Sequence, residues 1–301
     1  MDRRPFIKKL SFGAFLPFLS SAQLISSSIK NDNFSLNYAP HFGMFENSAG
    51  SDLIDQIYFM AEMGFNAFED NSMKSRNLST QNKISKALES KNMSMGVFVA
   101  NKIYWDKPNL ASGDSSYREE FLKDISDSVE VAKRVNAKWM TVVPGLLDHR
   151  KNLSYQTANV IETLKRASEI LEPHGLVMVL EPLNFRDHPG LFLSRSPQAY
   201  QICKSVNSPS CKILFDIYHQ QIQEGNLIPN IESCWDEIGY FQIGDNPGRK
   251  EPLTGEINYS NVFKFIKNKN YTGILGMEHG NSIPGIEGEK ALIEAYRAVD
   301  L

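Results

Sequence analysis

At 301 residues, with 42% hydrophobic and 22% charged side chains, the chain has the composition of a folded globular protein. It is long enough for one large α/β barrel, which commonly needs roughly 250 residues, or for two smaller domains. A net charge of −3, with no basic block after the N-terminal segment, argues against a nucleic-acid partner, whose phosphates require a cationic surface. Cys203, Cys211 and Cys234 are odd in number and lack C-x-x-C spacing, which points away from a disulfide framework or zinc ribbon and toward buried thiols, with a single Cys203–Cys211 bridge as the alternative for an exported chain.

The N-terminus differs from the rest. Arg3-Arg4-Pro5-Phe6-Ile7-Lys8-Lys9 is a basic segment, residues 10–19 are a short apolar run, and Ser20-Ser21-Ala22 supplies small residues for cleavage. Residues 1–22 therefore read as an export signal of twin-arginine type, and residues 23–34 as a polar linker. An apolar run of about ten residues is too short to span a bilayer. The expected location is periplasmic or exported, with a cytoplasmic protein as the alternative, and no stable membrane association is expected after processing.

From residue 35 to 301 one unit recurs: a short apolar run, a turn, then a stretch of helical periodicity. Strands are expected at 36–40, 67–69, 95–100, 139–143, 176–180, 211–215, 238–243 and 273–277. Helices are expected at 52–63 with Ser51 as cap, 80–91, 117–135, 155–171 with Ser154 as cap, 196–205, 259–267 and 287–298. Residues 101–116 and 185–193 are long irregular segments suited to a lid or binding loop. About eight strand-then-helix units without a composition break predict a single (β/α)8 TIM barrel; the absence of a glycine-rich phosphate fingerprint counts against a dinucleotide fold.

In such a barrel all strand C-termini open on one rim. Strand five ends at Glu181, immediately before Pro182; strand six ends at Asp216, strand seven near Gln242 and strand eight at Glu278. Three carboxylates gathered at one mouth need protons or a cation among them. An oxygen-preferring divalent metal, Mg²⁺ or Mn²⁺, held by Glu181, Asp216, Glu278 and the Gln242 amide oxygen, is the economical reading. Taken singly, Asp216 could equally cap the following helix, and Glu278 could be a turn residue. His219, His41 and Arg249 are candidates for contact with a substrate, His41 the weakest.

Leu180-Glu181-Pro182-Leu183-Asn184, Phe215-Asp216-Ile217-Tyr218-His219-Gln220, the segment Gln242 to Arg249 and Thr254-Gly255-Glu256-Ile257 together resemble the hydroxypyruvate isomerases of the xylose-isomerase-like TIM barrels. The resemblance covers about residues 35–298. It implies a metal held by Glu181, Asp216, Gln242 and Glu278, proton transfer by Glu181 and Glu278, and His219 and Arg249 near the substrate. Two features depart from the family: the N-terminal signal, and Glu278-His279-Gly280 where a Glu-Tyr pair is expected. The expected activity is metal-dependent isomerisation or epimerisation of a small hydroxy-carbonyl or sugar-derived compound through an enediolate. A keto-sugar lyase and a non-catalytic carbohydrate-binding barrel are the alternatives, and an oligomer is compatible with the sequence.

Overall fold

The computed structural model describes residues 33–300. The expected export signal and nearly all of the linker lie outside these residues. Eight parallel strands alternate with helices: β1 (Asn37–Ala39), β2 (Ala67–Phe68), β3 (Ser94–Met95), β4 (Trp139–Val142), β5 (Val177–Leu180), β6 (Cys211–Asp216), β7 (Ile238–Gln242) and β8 (Ile274–Gly276). Six of them form a sheet in the order β1-β8-β7-β6-β5-β4, and β2 pairs with β3. Backbone bonds join the two pieces into a ring. Glu69 N donates to Pro40 O at 3.0 Å beside β1, while Thr141 N donates to Phe98 O at 2.8 Å beyond β3. The TIM barrel expected from the sequence is the fold observed.

The third strand is shorter than expected. Regular pairing stops at Met95, and residues 96–100 continue as an irregular path bonded to both neighbours, including a bridge between Val99 and Thr141. Gly96 stands at this point: a Cβ there would overlap the Tyr240 hydroxyl, so the position takes glycine, which is a weak strand former.

Helix starts also differ in detail. Asp52 rather than Ser51 caps Leu53–Glu62, accepting from Ile54 N and Asp55 N, and Asn152 rather than Ser154 caps Leu153–Leu171. In both cases a side-chain oxygen must reach an amide two or three residues ahead, and only these positions satisfy that spacing. The helix Ser196–Val206 has proline in its first turn and ends on Asn207 in the left-handed conformation. No helix among the described residues is long and apolar enough to cross a membrane.

Strand periodicity determines which side chains enter the barrel. Ala39, Ala67, Val97, Val177, Val179, Leu214, Tyr240 and Ile274 pack together as the interior layer. Met178 and Leu180, on the opposite face of β5, belong to the larger core between strands and helices. All four β5 residues are buried, as expected for a parallel strand covered on both faces. Burying each such apolar side chain contributes about 1.5–3 kcal/mol. Counting on by two from the interior residues leads to His41 from β1, Glu69 from β2, Glu181 from β5, Asp216 from β6, Gln242 from β7, and Gly276 then Glu278 from β8. The acids at the rim thus occupy the next inward positions above a hydrophobic plug.

Candidate active site

Glu181, Asp216, His219 and Glu278 each bring an oxygen or ring nitrogen within 4.8 Å of the others. Asp216 lies in register with Gln242, and Gln242 with Gly276 on its other side. Asp216 caps the helix Ile217–Gln223 through Oδ1, which accepts from His219 N at 3.1 Å, while Oδ2 faces Arg249 Nη2 at 3.4 Å. The capping role and the site role belong to the same carboxylate. Glu278 accepts from Asn71 Nδ2 at 2.8 Å and from Arg249 Nη2 at 2.7 Å.

Burial raises the pKa of all three acids. Glu181 is driven well above the usual carboxylate range by desolvation and by the charges of Glu278 and Asp216. Glu278 and Asp216 are raised by desolvation as well, with the Arg249 guanidinium opposing the shift.

Arg249 is held in place by its loop. The Asp245 carboxylate accepts from Asn246 N, Gly255 N and Ile257 N at 2.9–3.1 Å. Arg249 itself sits in the left-handed region (φ 51°), with its N donating to Asp245 O at 2.9 Å. Its Nε donates to Glu278 O at 3.0 Å, and the guanidinium lies over Tyr218, 5.0 Å from the ring centre.

The protonation of His219 can be read from its neighbours. Asn184 Oδ1 accepts from Arg186 N and Asp187 N, both at 2.9 Å, which fixes the amide with Nδ2 toward His219 Nδ1 at 2.6 Å. A donor facing Nδ1 requires a lone pair there, so the hydrogen of the neutral ring is on Nε2. Burial and the Arg249 charge lower the pKa to about 3, which keeps the ring neutral. Nε2 lies 3.7 Å from Asp216 Oδ2 and has no hydrogen-bond partner among the described residues. His219 therefore offers an N–H to the mouth and no lone pair.

Two adjoining cavities open at this end of the barrel. One, about 200 Å³, is lined by Ile103, Trp105, Glu181, His188, His219 and Arg249 among others. The second, about 260 Å³, lies toward β1 and β2, with His41, Phe42, Asp70 and Arg76 in its wall. Asn71 and Glu278 line both. Trp105, from the long 101–116 segment, is 53% exposed and stacks on His188 with ring centres 5.1 Å apart. His41 turns both ring nitrogens to backbone carbonyls, Phe42 O at 2.7 Å and His279 O at 3.1 Å, and lines the second cavity. A larger cavity of about 600 Å³ lies at the opposite, N-terminal end of the strands, among Ser94, Lys133 and Trp139, away from the acids.

The chain matches the xylose isomerase-like TIM barrel family over residues 57–299. The chain belongs to that family. The hydroxypyruvate isomerase of Escherichia coli is 32% identical over 194 residues, 61% of this chain and 75% of that protein. A 2-oxo-tetronate isomerase of Cupriavidus necator is 32% identical over 160 residues, 53% of this chain and 62% of that one. By this kinship the chain is an enzyme of the isomerase class. Among solved structures, an AP endonuclease of family 2 from Brucella melitensis superposes with a TM-score of 0.76 at 23% identity, covering 87% of this chain and 98% of the other. A 3-keto-D-glucoside 4-epimerase from Escherichia coli gives 0.71 at 18% identity, covering 88% and 100%. At these identities the likeness is one of fold.

This family member presents a donor set suited to a hard cation. Three carboxyl groups, two buried and Glu278 partly so, converge with their pKa raised by desolvation, and the Gln242 Oε1 atom is buried with no hydrogen-bond partner among the described residues. Such an orphaned oxygen beside three acids fits a divalent metal. Asn184, Asn71, His188 and Glu69 also bear on the site, and none of them is among the site residues expected from the sequence. The strand-end rule that located Glu181 points equally to Glu69 when applied to β2, and Asn184 sits three residues after Glu181 in the same turn.

Proposed function

We propose that this enzyme isomerises or epimerises a small hydroxy-carbonyl or sugar-derived compound by moving a proton at the carbon next to the carbonyl. The observation that carries the reading is the pairing of two carboxyl groups, the buried Glu181 and the partly buried Glu278, on one cavity, both with raised pKa. One takes the proton from the carbon, and the other returns it to the neighbouring carbon or to the opposite face. His219 Nε2–H donates to a substrate oxygen on which negative charge develops. Arg249, fixed by the Asp245 loop, holds Glu278 and orients substrate hydroxyls. Trp105 and His188 cover the mouth and exclude water.

Glu181, Asp216, Gln242 and Glu278 would hold the Mg²⁺ or Mn²⁺. When bound, the cation supplies Lewis-acid stabilisation of the enediolate oxygens. The second cavity beside Glu278 leaves room beyond a three-carbon acid, which favours a sugar-sized substrate, as does the likeness to hydroxypyruvate and 2-oxo-tetronate isomerases for the hydroxy-carbonyl chemistry. We also propose that residues 1–22 direct export, leaving residues 35–301 as the catalytic barrel.

The test is a panel of hydroxypyruvate, 2-oxo-tetronate, ketohexoses and 3-keto-glycosides, incubated with chelator-stripped protein before and after Mn²⁺ is restored and followed by NMR. An aldose–ketose isomer or an epimer formed only with metal supports the reading. An unsaturated product identifies the lyase; binding without turnover of any compound identifies the carbohydrate-binding alternative.

A further inference from the structure

Just below the rim a fourth acid, Glu69, borders the second cavity and has no role in the chemistry just described. It is 1% exposed, reaches inward from the end of β2, and crosses the barrel to β7. Tyr240 donates its hydroxyl to Glu69 Oε2 at 2.9 Å, and Gln242 Nε2 lies 3.4 Å from Glu69 Oε1. Space for this crossing depends on two glycines. A Cβ at Gly276 would overlap the Glu69 carboxyl group, and one at Gly96 would overlap the Tyr240 hydroxyl. Four strands thus contribute to one polar contact in an interior otherwise filled by valine, alanine, leucine and isoleucine.

The consequence lies in the Gln242 amide. An amide nitrogen has only hydrogens to offer, so Glu69 is the acceptor in this contact whatever its own protonation. With Nε2 turned down to Glu69, Oε1 is the end left over, and it is the atom buried without a partner. Reversing the amide gives up the Nε2–H bond to Glu69 Oε1 and leaves a nitrogen, which cannot bind a cation, in its place.

We propose that Glu69 is a positioning residue that locks the Gln242 side chain with its oxygen presented as a metal ligand. This rests on the metal reading above and adds an outer partner that fixes the orientation of a neutral ligand. Losing such a partner typically weakens metal affinity by roughly 10–100-fold.

The experiment is Mn²⁺ titration, read from the free-ion EPR signal, on the full chain and on E69L, Q242A and E69L/Q242A. E69L is expected to raise the Kd about tenfold or more in the Gln242 background, and less than about threefold when Gln242 is already alanine. E69Q, whose own amide oxygen can still accept from Gln242 Nε2, should bind nearly as the parent does. Circular dichroism and Tm identify any variant that fails to fold, and E69M replaces E69L in that event. An equal loss in both backgrounds, or none in either, overturns the proposal. Unchanged Mn²⁺ affinity in Q242A overturns it too while leaving the metal reading in place. Absence of Mn²⁺ binding by the parent protein would instead refute the metal reading itself.

Discussion

Replacing Asn184 with aspartate exchanges one NH2 group for an oxygen at nearly constant shape, and the structure says what that does. The Oδ1 bonds to Arg186 N and Asp187 N survive and keep an anchor for the turn after β5, while the Nδ2 bond to Asp187 Oδ2, 3.0 Å away, is lost. The atom 2.6 Å from His219 Nδ1 becomes an acceptor, however, and the ring answers by moving its hydrogen from Nε2 to Nδ1. Nε2 then shows the mouth a lone pair, and the donor to the substrate oxygen is lost. Removing one preorganised donor of this kind costs about 2.7–4 kcal/mol, or roughly 10²–10³ in kcat. Tautomers are read directly from ¹⁵N shifts of labelled histidine, and kcat from the isomerisation assay. A switched tautomer with undiminished kcat, or a lost kcat with the parent tautomer, would refute this wiring of His219.

Trp105→Ala should raise KM by a factor of about 2–12, the equivalent of roughly 0.5–1.5 kcal/mol of ring stacking, with kcat and Tm little changed, because the side chain is half exposed and stacks only on the rim. Arg249→Lys should lower kcat/KM by about tenfold or more, since a single ammonium cannot reach Glu278, Asp216 and the Glu278 carbonyl together; steady-state kinetics on the variant check this. The Cys203 thiol is pushed up by its contact with the Cys211 thiol and by burial, and Cys234 is pushed up to about 12 by burial. A raised thiol pKa means less thiolate at a given pH, so a disulfide reagent at mildly alkaline pH should find no reactive thiol in the folded protein and all three cysteines after denaturation.

The acids were legible in the sequence because strand periodicity is strict. Glu181, Asp216, Gln242 and Glu278 each follow an apolar run at an inward position, and one rim collects them. Glu69 obeys the same rule, but β2 is only two paired residues long, and a strand that short gives little apolar pattern from which to count. The wiring of His219 was not legible. Its position three residues after Asp216 suggested a place at the mouth, whereas its tautomer depends on Asn184, 35 residues earlier, and on two backbone amides that orient that asparagine. The Gly96 and Gly276 gaps are likewise tertiary facts: each glycine matters only for the side chain that passes over it from another strand. The helix caps were misplaced by one or two residues because adjacent Ser/Asp and Asn/Ser candidates compete, and only the backbone path decides which reaches the free amides.

Proton transfer between Glu181 and Glu278 is tested most directly by deuterium incorporation. The Mn²⁺-loaded protein is incubated in D2O with the substrate found in the panel, and solvent deuterium at the carbon next to the carbonyl is followed by NMR for the parent, E181Q and E278Q. The account predicts incorporation by the parent and its loss, by roughly 10²-fold or more, in each variant with the fold intact. Incorporation at the parent rate in either variant, or product formed by the parent with no solvent deuterium and no deuterium washed out of labelled substrate, would contradict it.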